Sequence, residues 1–192
     1  MRGAWLLVSV AVSVVCVLAA PVLADLKVTG DRSAYDEVVA AFKKLFSLPG
    51  FRANGTNLKG QGLVFEFAAP DSFHFNAGGR YEVIAVGGQG ASRGDIPGTT
   101  TGWRCGTPKA GHRLLFDPSR ATGTYNATRG PDTIMDGTPV HTIFFAEGDK
   151  KETIYVGVQN GLPKRVVTGV GDTIDYYDYG ARVEITLPPC AQ

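Results

Sequence analysis

The apolar residues of this chain change period at Gly50, and that change dictates what it can fold into. From Ser33 they fall at Tyr35, Val38, Val39, Phe42, Leu45 and Phe46, the three-and-four spacing that lines one face of a helix. Ser33 with Asp36 three residues on approximates a capping box. Lys43 and Lys44 sit where cations favour a helix C-terminus, and Leu48-Pro49-Gly50 ends the element. Beyond Gly50 the period is two. Leu63, Phe65 and Phe67 alternate with Val64, Glu66 and Ala68, then come Phe73 and Phe75 around His74, and Tyr81 to Val86. The alternation resumes at Val140 to Phe145, Glu152 to Val158, Lys164 to Val170, Thr173 to Tyr177 and Val183 to Leu187, with a turn at Asn160-Gly161. A single apolar stripe in an otherwise β chain must be buried against a sheet. The expected fold is mainly β: about nine to eleven antiparallel strands curled into an incomplete barrel, with the helix packed on the concave face.

Between these blocks, residues Ala91 to Gly137 are rich in Gly, Pro and Thr, with possible strands at His112 to Phe116 and Gly123 to Thr128. Gly87-Gly88-Gln89-Gly90 follows a strand, but no helical pattern comes after it to supply an anion-binding N-terminus, so it reads as a tight turn.

Residues Met1 to Ala24 carry one early cation, Arg2, an apolar run from Ala4 to Ala20, and small residues Val22 and Ala24. They read as an export signal cleaved before Asp25, leaving one domain over 25–192 in the periplasm or outside the cell. Cys16 follows Val15, where a lipidation box needs a small residue. Cys105 and Cys190 then remain, an even pair that reads as one disulfide, the alternative being two free thiols. A bridge closing so long a loop is worth ~4 kcal/mol in the chain-entropy model.

The 19 basic and 18 acidic residues come into balance once Arg2 is removed, so a nucleic-acid partner is not expected. His74, His112 and His141 have no metal-ligand spacing, and neither a nucleophile elbow nor a phosphate loop nor a dinucleotide fingerprint occurs. Asp71 with His74, and Asp178 with Glu184, read as turn and strand residues rather than acid/base pairs. The expectation is a chain that is not an enzyme and takes neither cofactor nor metal. Asn54-Gly55-Thr56 and Asn126-Ala127-Thr128 match the glycosylation sequon, which matters only in a eukaryotic secretory route.

The order of features resembles the LolA/LppX-like superfamily of bacterial outer-membrane lipoprotein-sorting proteins and lipid carriers. The resemblance rests on the helix ending in Phe46-Ser47-Leu48-Pro49-Gly50-Phe51-Arg52, on Phe65 to Phe75, and on Ile84-Ala85-Val86-Gly87-Gly88 leading toward Trp103. Thr153-Ile154-Tyr155-Val156-Gly157, Asn160 to Arg165 and the closing Tyr177-Asp178-Tyr179-Gly180-Ala181-Arg182-Val183-Glu184-Ile185 add to it. It implies a helix-closed half-barrel, working as a monomer, whose hydrophobic cavity holds a lipid or the acyl chains of a lipoprotein, exchanged with a membrane-protein donor or acceptor of the envelope. The sorting carriers have further helices in mid-chain, which the composition of Ala91 to Gly137 does not favour. Arg52 stands where a gating arginine of those carriers would fall.

Such a cavity needs only an apolar lining, for which Phe42 and Phe46 on the helix and Phe65, Phe67, Phe75, Ile84, Phe144 and Tyr155 on strands are the candidates. The same residues also suit an ordinary core. The competing function is therefore a structural or interaction module of the envelope whose interior its own side chains fill.

Overall fold

The computed structural model describes residues 26–94, 102–106 and 123–189. The helix α1 (Arg32–Phe46) forms as its spacing predicts, but Asp31 caps it. The Asp31 carboxylate accepts from Ser33 N (2.8 Å), Ala34 N (3.1 Å) and Ser33 Oγ (2.6 Å). Those bonds, the Ser33 hydroxyl's first, hold its carboxyl below the ordinary range. Asp36, read from sequence as half of a capping box, instead pairs with Arg32 at 2.9 Å. At the other end Gly50 is required by packing: a Cβ there would lie 2.5 Å from Ala181 O.

Thirteen strands join in one sheet. They are β1 (Lys27–Gly30), β2 (Gly50–Thr56), β3 (Gly62–Ala68), β4 (Ser72–Ala77), β5 (Tyr81–Val86), β6 (Gln89–Gly94) and β7 (Arg104–Gly106), then β8 (Thr124–Arg129), β9 (Thr133–Met135), β10 (Thr138–Glu147), β11 (Lys150–Gly157), β12 (Pro163–Thr168) and β13 (Thr173–Tyr177). The order across the sheet is β1-β8-β10-β11-β12-β13-β2-β3-β4-β5-β6-β7, with β9 beside β10. Its ends do not meet, so the structure is the incomplete barrel with a packed helix that the LolA/LppX-like resemblance implies.

Three details differ from expectation. The described residues hold more strands than expected, because short pieces such as β7 and β9 carry too few residues to show a period. The pairing of β1 with β8 is parallel, since the chain enters the sheet, crosses it as α1 and only later returns to β1's neighbour. Val183 to Leu187, expected as a strand, joins no ladder. That tail is pinned otherwise: Gly180 N donates to Gly50 O (2.8 Å), and Tyr179 Oη lies 2.7 Å from Pro163 O and 2.9 Å from Tyr176 O. The glycines at 87 and 88 make the tight β5–β6 hairpin with φ of 57° and 79°, conformations that suit residues without a Cβ. His112 to Phe116 lies outside the described residues.

Candidate ligand-binding face

Side chains alternate across a strand, so the pairing register settles which residues share the face that α1 covers. Phe51 opposes Phe67 and Phe67 opposes Phe73. Ala53 opposes Phe65, which opposes Phe75, which opposes Val83. Tyr176 opposes Ala53, and Ile154 opposes both Ile143 and Val166. This is the inner face, and it divides into two halves.

Over β1, β8 and β10–β13 the helix fills it. Ala34, Tyr35, Val38, Ala41, Phe42 and Leu45 are buried and form one cluster with Tyr125, Ala127, Ile143, Phe145, Ile154, Val156, Val166 and Tyr176. The Phe42 ring meets Tyr176 edge-on at 6.1 Å, and Tyr35 stacks on Phe145 at 5.9 Å. Polar contacts fix the helix in place. Glu37 accepts from Arg129, the His141 Nδ1 lies 2.6 Å from Glu37 Oε1, and Lys44 Nζ donates to Asn160 O at 2.7 Å. No acyl chain fits where these side chains already pack.

Over β3–β5 the inner face is lined by Phe65, Phe67, Phe73, Phe75, Val83 and Ala85. The helix reaches this half through Phe46, whose ring meets Phe51 at 5.9 Å and Phe67 at 5.4 Å. Phe65 stacks on Phe73 at 6.1 Å, and Phe75 meets Tyr81 at 6.4 Å. Phe73 and Phe75 stay partly exposed, while Phe65, Phe67 and, beside them on the neighbouring strand of the same face, Val83 and Ala85 are buried. The result is a row of aromatic rings of which Phe73 and Phe75 keep part of their surface.

The sequence-predicted residues therefore separate into three groups. Phe42 and Phe46 belong to helix packing, and Phe65, Phe67 and Phe75 line the second half. Ile84, Phe144 and Tyr155 do not face inward. Ile84 opposes His74 and is buried on the outer face beside Ala91, Phe144 opposes Thr153, and Tyr155 opposes Thr142 and Arg165. In each case the inward residue is a chain neighbour, as with Val83, Ala85, Phe145, Ile154 and Val156. Period two leaves the choice of face open. Phe144 is 49% exposed and lines an outer groove of about 410 Å³ with Ala146, Thr153 and Val167. Phe51, Phe73 and Tyr176 complete the inner face and were not among the expected residues; the alternation of Phe73 with Phe75 was the available signal.

Arg52 is likewise on the outer face. It starts a charged row across β2–β6. Arg52 Nη1 donates to Asp178 Oδ2 (3.0 Å) and Nε to Glu66 Oε1 (2.9 Å). The His74 ring lies between Glu66 Oε2 (3.1 Å from Nδ1) and Glu82 Oε1 (2.8 Å from Nε2). Arg93 Nε donates to Glu82 Oε2 (2.6 Å), and its guanidinium lies 4.8 Å over the Trp103 ring. Burial pushes both carboxyls up, but the hydrogen bonds from the arginines and His74 outweigh it and hold them below their ordinary value. Arg165 and Asp175 make a similar pair across β12 and β13. Glu152 behaves in the opposite way. It follows the inner side of β11, where burial first and then repulsion from Glu147 push its carboxyl up.

Cys105 sits in β7 and is disulfide-bonded; Cys190 lies outside the described residues. Among the described residues no three His, Cys, Asp or Glu side chains gather as metal ligands, and His74 and His141 occupy opposite faces.

No family model and no curated protein matches the chain. Solved structures similar to it include that of MucB (12% identity, TM-score 0.43, 77% of this chain and 58% of that one). MucB in complex with MucA(peri) is similar too (13%, 0.42, 82% and 57%), so the chain spans less than two thirds of the MucB structures it matches. A third is a putative outer membrane lipoprotein-sorting protein domain from Vibrio parahaemolyticus (8%, 0.38, 79% and 94%). At these identities and TM-scores they assign no residue and no activity to this chain.

Proposed function

We propose that this chain is an exported carrier that holds an acyl chain, of a lipid or of a lipoprotein anchor, against the helix-free half of its inner face and releases it chemically unchanged. The observation that supports this is the row Phe65, Phe67, Phe73 and Phe75, whose outer members stay partly exposed while the other half of the same face is filled. Withdrawing a chain from water gains ~0.8 kcal/mol per methylene before the costs of association, so an apolar row suffices for affinity and no charge or metal is required. Membrane proteins of the envelope are the partners this reading implies.

Native mass spectrometry and organic extraction of the purified protein, together with titration by a fluorescent fatty acid, test it. The protein is expected to carry lipid and to bind the probe, and Phe73→Ser with Phe75→Ser to weaken probe binding while the fold stays intact by circular dichroism. Absence of both lipid and probe binding sinks it. A second reading, an envelope interaction module, is favoured by the filled space under α1. It predicts capture of a protein partner with no probe bound.

A further inference from the structure

One end of the open barrel is built from adjoining turns. Around it run the start of β1 at Leu26, then Gly123, the β10–β11 turn at Gly148 and Asp149, and the turns spanning 169–172, 57–61 and 78–80. Bonds between neighbours tie them together: Lys27 N to Gly123 O (2.9 Å), Gly148 N to Thr124 O (3.4 Å), Leu58 N to Asp172 Oδ1 (3.0 Å) and Gly78 N to Gly62 O (2.7 Å).

Large apolar side chains project from this end, Leu58 at 70%, Val170 at 63% and Leu26 at 44% exposure. Leu58 and Val170 sit on adjacent turns, so close that a Cβ on Gly171 would come within 2.8 Å of Leu58 Cδ2. Val64 and Phe144, also exposed, stand on the outer face a few residues away; the opposite end shows Ile134 and Val158. The same rim carries Lys27, Lys59, Arg80, Lys150 and Lys151, none in an ion pair among the described residues. Its acids are Glu147, which accepts from Tyr125 Oη, Asp172, which accepts from Leu58 N, and Asp149; Glu152 turns inward.

Exposed aliphatic tips ringed by unpaired cations complement a bilayer surface: the tips enter the interfacial layer and the ammonium groups meet lipid phosphates. We propose that this end docks on a membrane bearing anionic phospholipid, independently of what the inner face carries.

Flotation of the chain freed of residues 1–24 tests this, with vesicles of phosphatidylglycerol and phosphatidylethanolamine against vesicles of phosphatidylcholine alone. The protein is expected to float with the anionic vesicles and to be released by high salt. The double variant Leu58→Asp/Val170→Asp should stay behind, and Lys59→Glu with Lys150→Glu should weaken binding about fivefold per lost cation. Ile134→Asp, at the opposite end, should float like the unaltered protein. Failure of the unaltered protein to float, or flotation of the Leu58/Val170 variant at its level, overturns the proposal. The fatty-acid probe separates the two proposals: rim variants should still bind it, and its loss from the unaltered protein bears on the carrier alone.

Discussion

The two halves of the inner face are built from the same alternation of apolar residues, yet one is fully covered while the other keeps two rings, Phe73 and Phe75, partly exposed. Where α1 lies, Phe42, Leu45, Phe51 and Tyr176 are essentially inaccessible; beyond Phe46, Phe73 and Phe75 keep part of their surface. The supports differ as well. The covered half is clamped by Glu37 to Arg129 and His141, whereas the strands around Phe73 and Phe75 are joined on their outer face by the row from Arg52 to Arg93. The strands around Phe73 and Phe75 are thus tied by polar contacts on their other face.

The sharpest way to break this contrast is to empty one ring from each half. Phe42→Ala should cost ~3–5 kcal/mol in urea unfolding, as for a fully buried ring, and leave the chain barely folded. Phe75→Ala should cost about 1–2 kcal/mol, since part of its surface is already wet, while weakening fatty-acid binding. Equal costs would show the halves to be alike. Next in size is the bridge. Trapping free thiols in the unfolded, unreduced protein should label neither Cys105 nor Cys190, and Cys105→Ser should lose up to ~4 kcal/mol; labelling of both would show that the two do not form a bridge.

A smaller effect lies in the outer row. Glu66 and Glu82 are held below their ordinary value of 4.5, so the stability they supply is complete above that value and is lost as pH falls through their lower folded values. Glu66→Gln should cost about 1 kcal/mol at neutral pH and flatten the acid limb of the stability curve. An unchanged acid limb would mean the row does not hold the strands around Phe73 and Phe75. Smallest, and of opposite sign, is Glu152. Its folded value is raised, so its ionisation costs stability as pH rises from 4.5 through that folded value, and Glu152→Gln should raise the melting temperature at neutral pH. A lower melting temperature would show that the carboxylate is needed there.

Much of this was legible in the chain. The helix from Tyr35 to Phe46 and the hairpins at Gly87-Gly88 and Asn160-Gly161 follow from period and turn chemistry, both local properties, whereas the period groups Phe65, Phe67 and Phe75 on one face without saying which face is inner. Ile84, Phe144 and Tyr155 were placed on the wrong face because neighbouring apolar residues compete for the inside, and the winner is set by pairing register, with a shift between Tyr155 and Val156. The outer row left a signal: Glu66, His74 and Glu82 recur at intervals of eight inside apolar strands, the spacing of hairpins that bring them side by side.

By itself, then, the sequence determined one amphipathic helix, a run of alternating strands and the places where the chain must turn, because each depends on residues a few positions apart. Only the tertiary structure decided which face is inner, which half of it α1 fills, and that Arg52 meets Glu66 and Asp178 on the outer face. Those outcomes depend on pairings between residues far apart in sequence, where a shift of one position exchanges every side chain between the two faces.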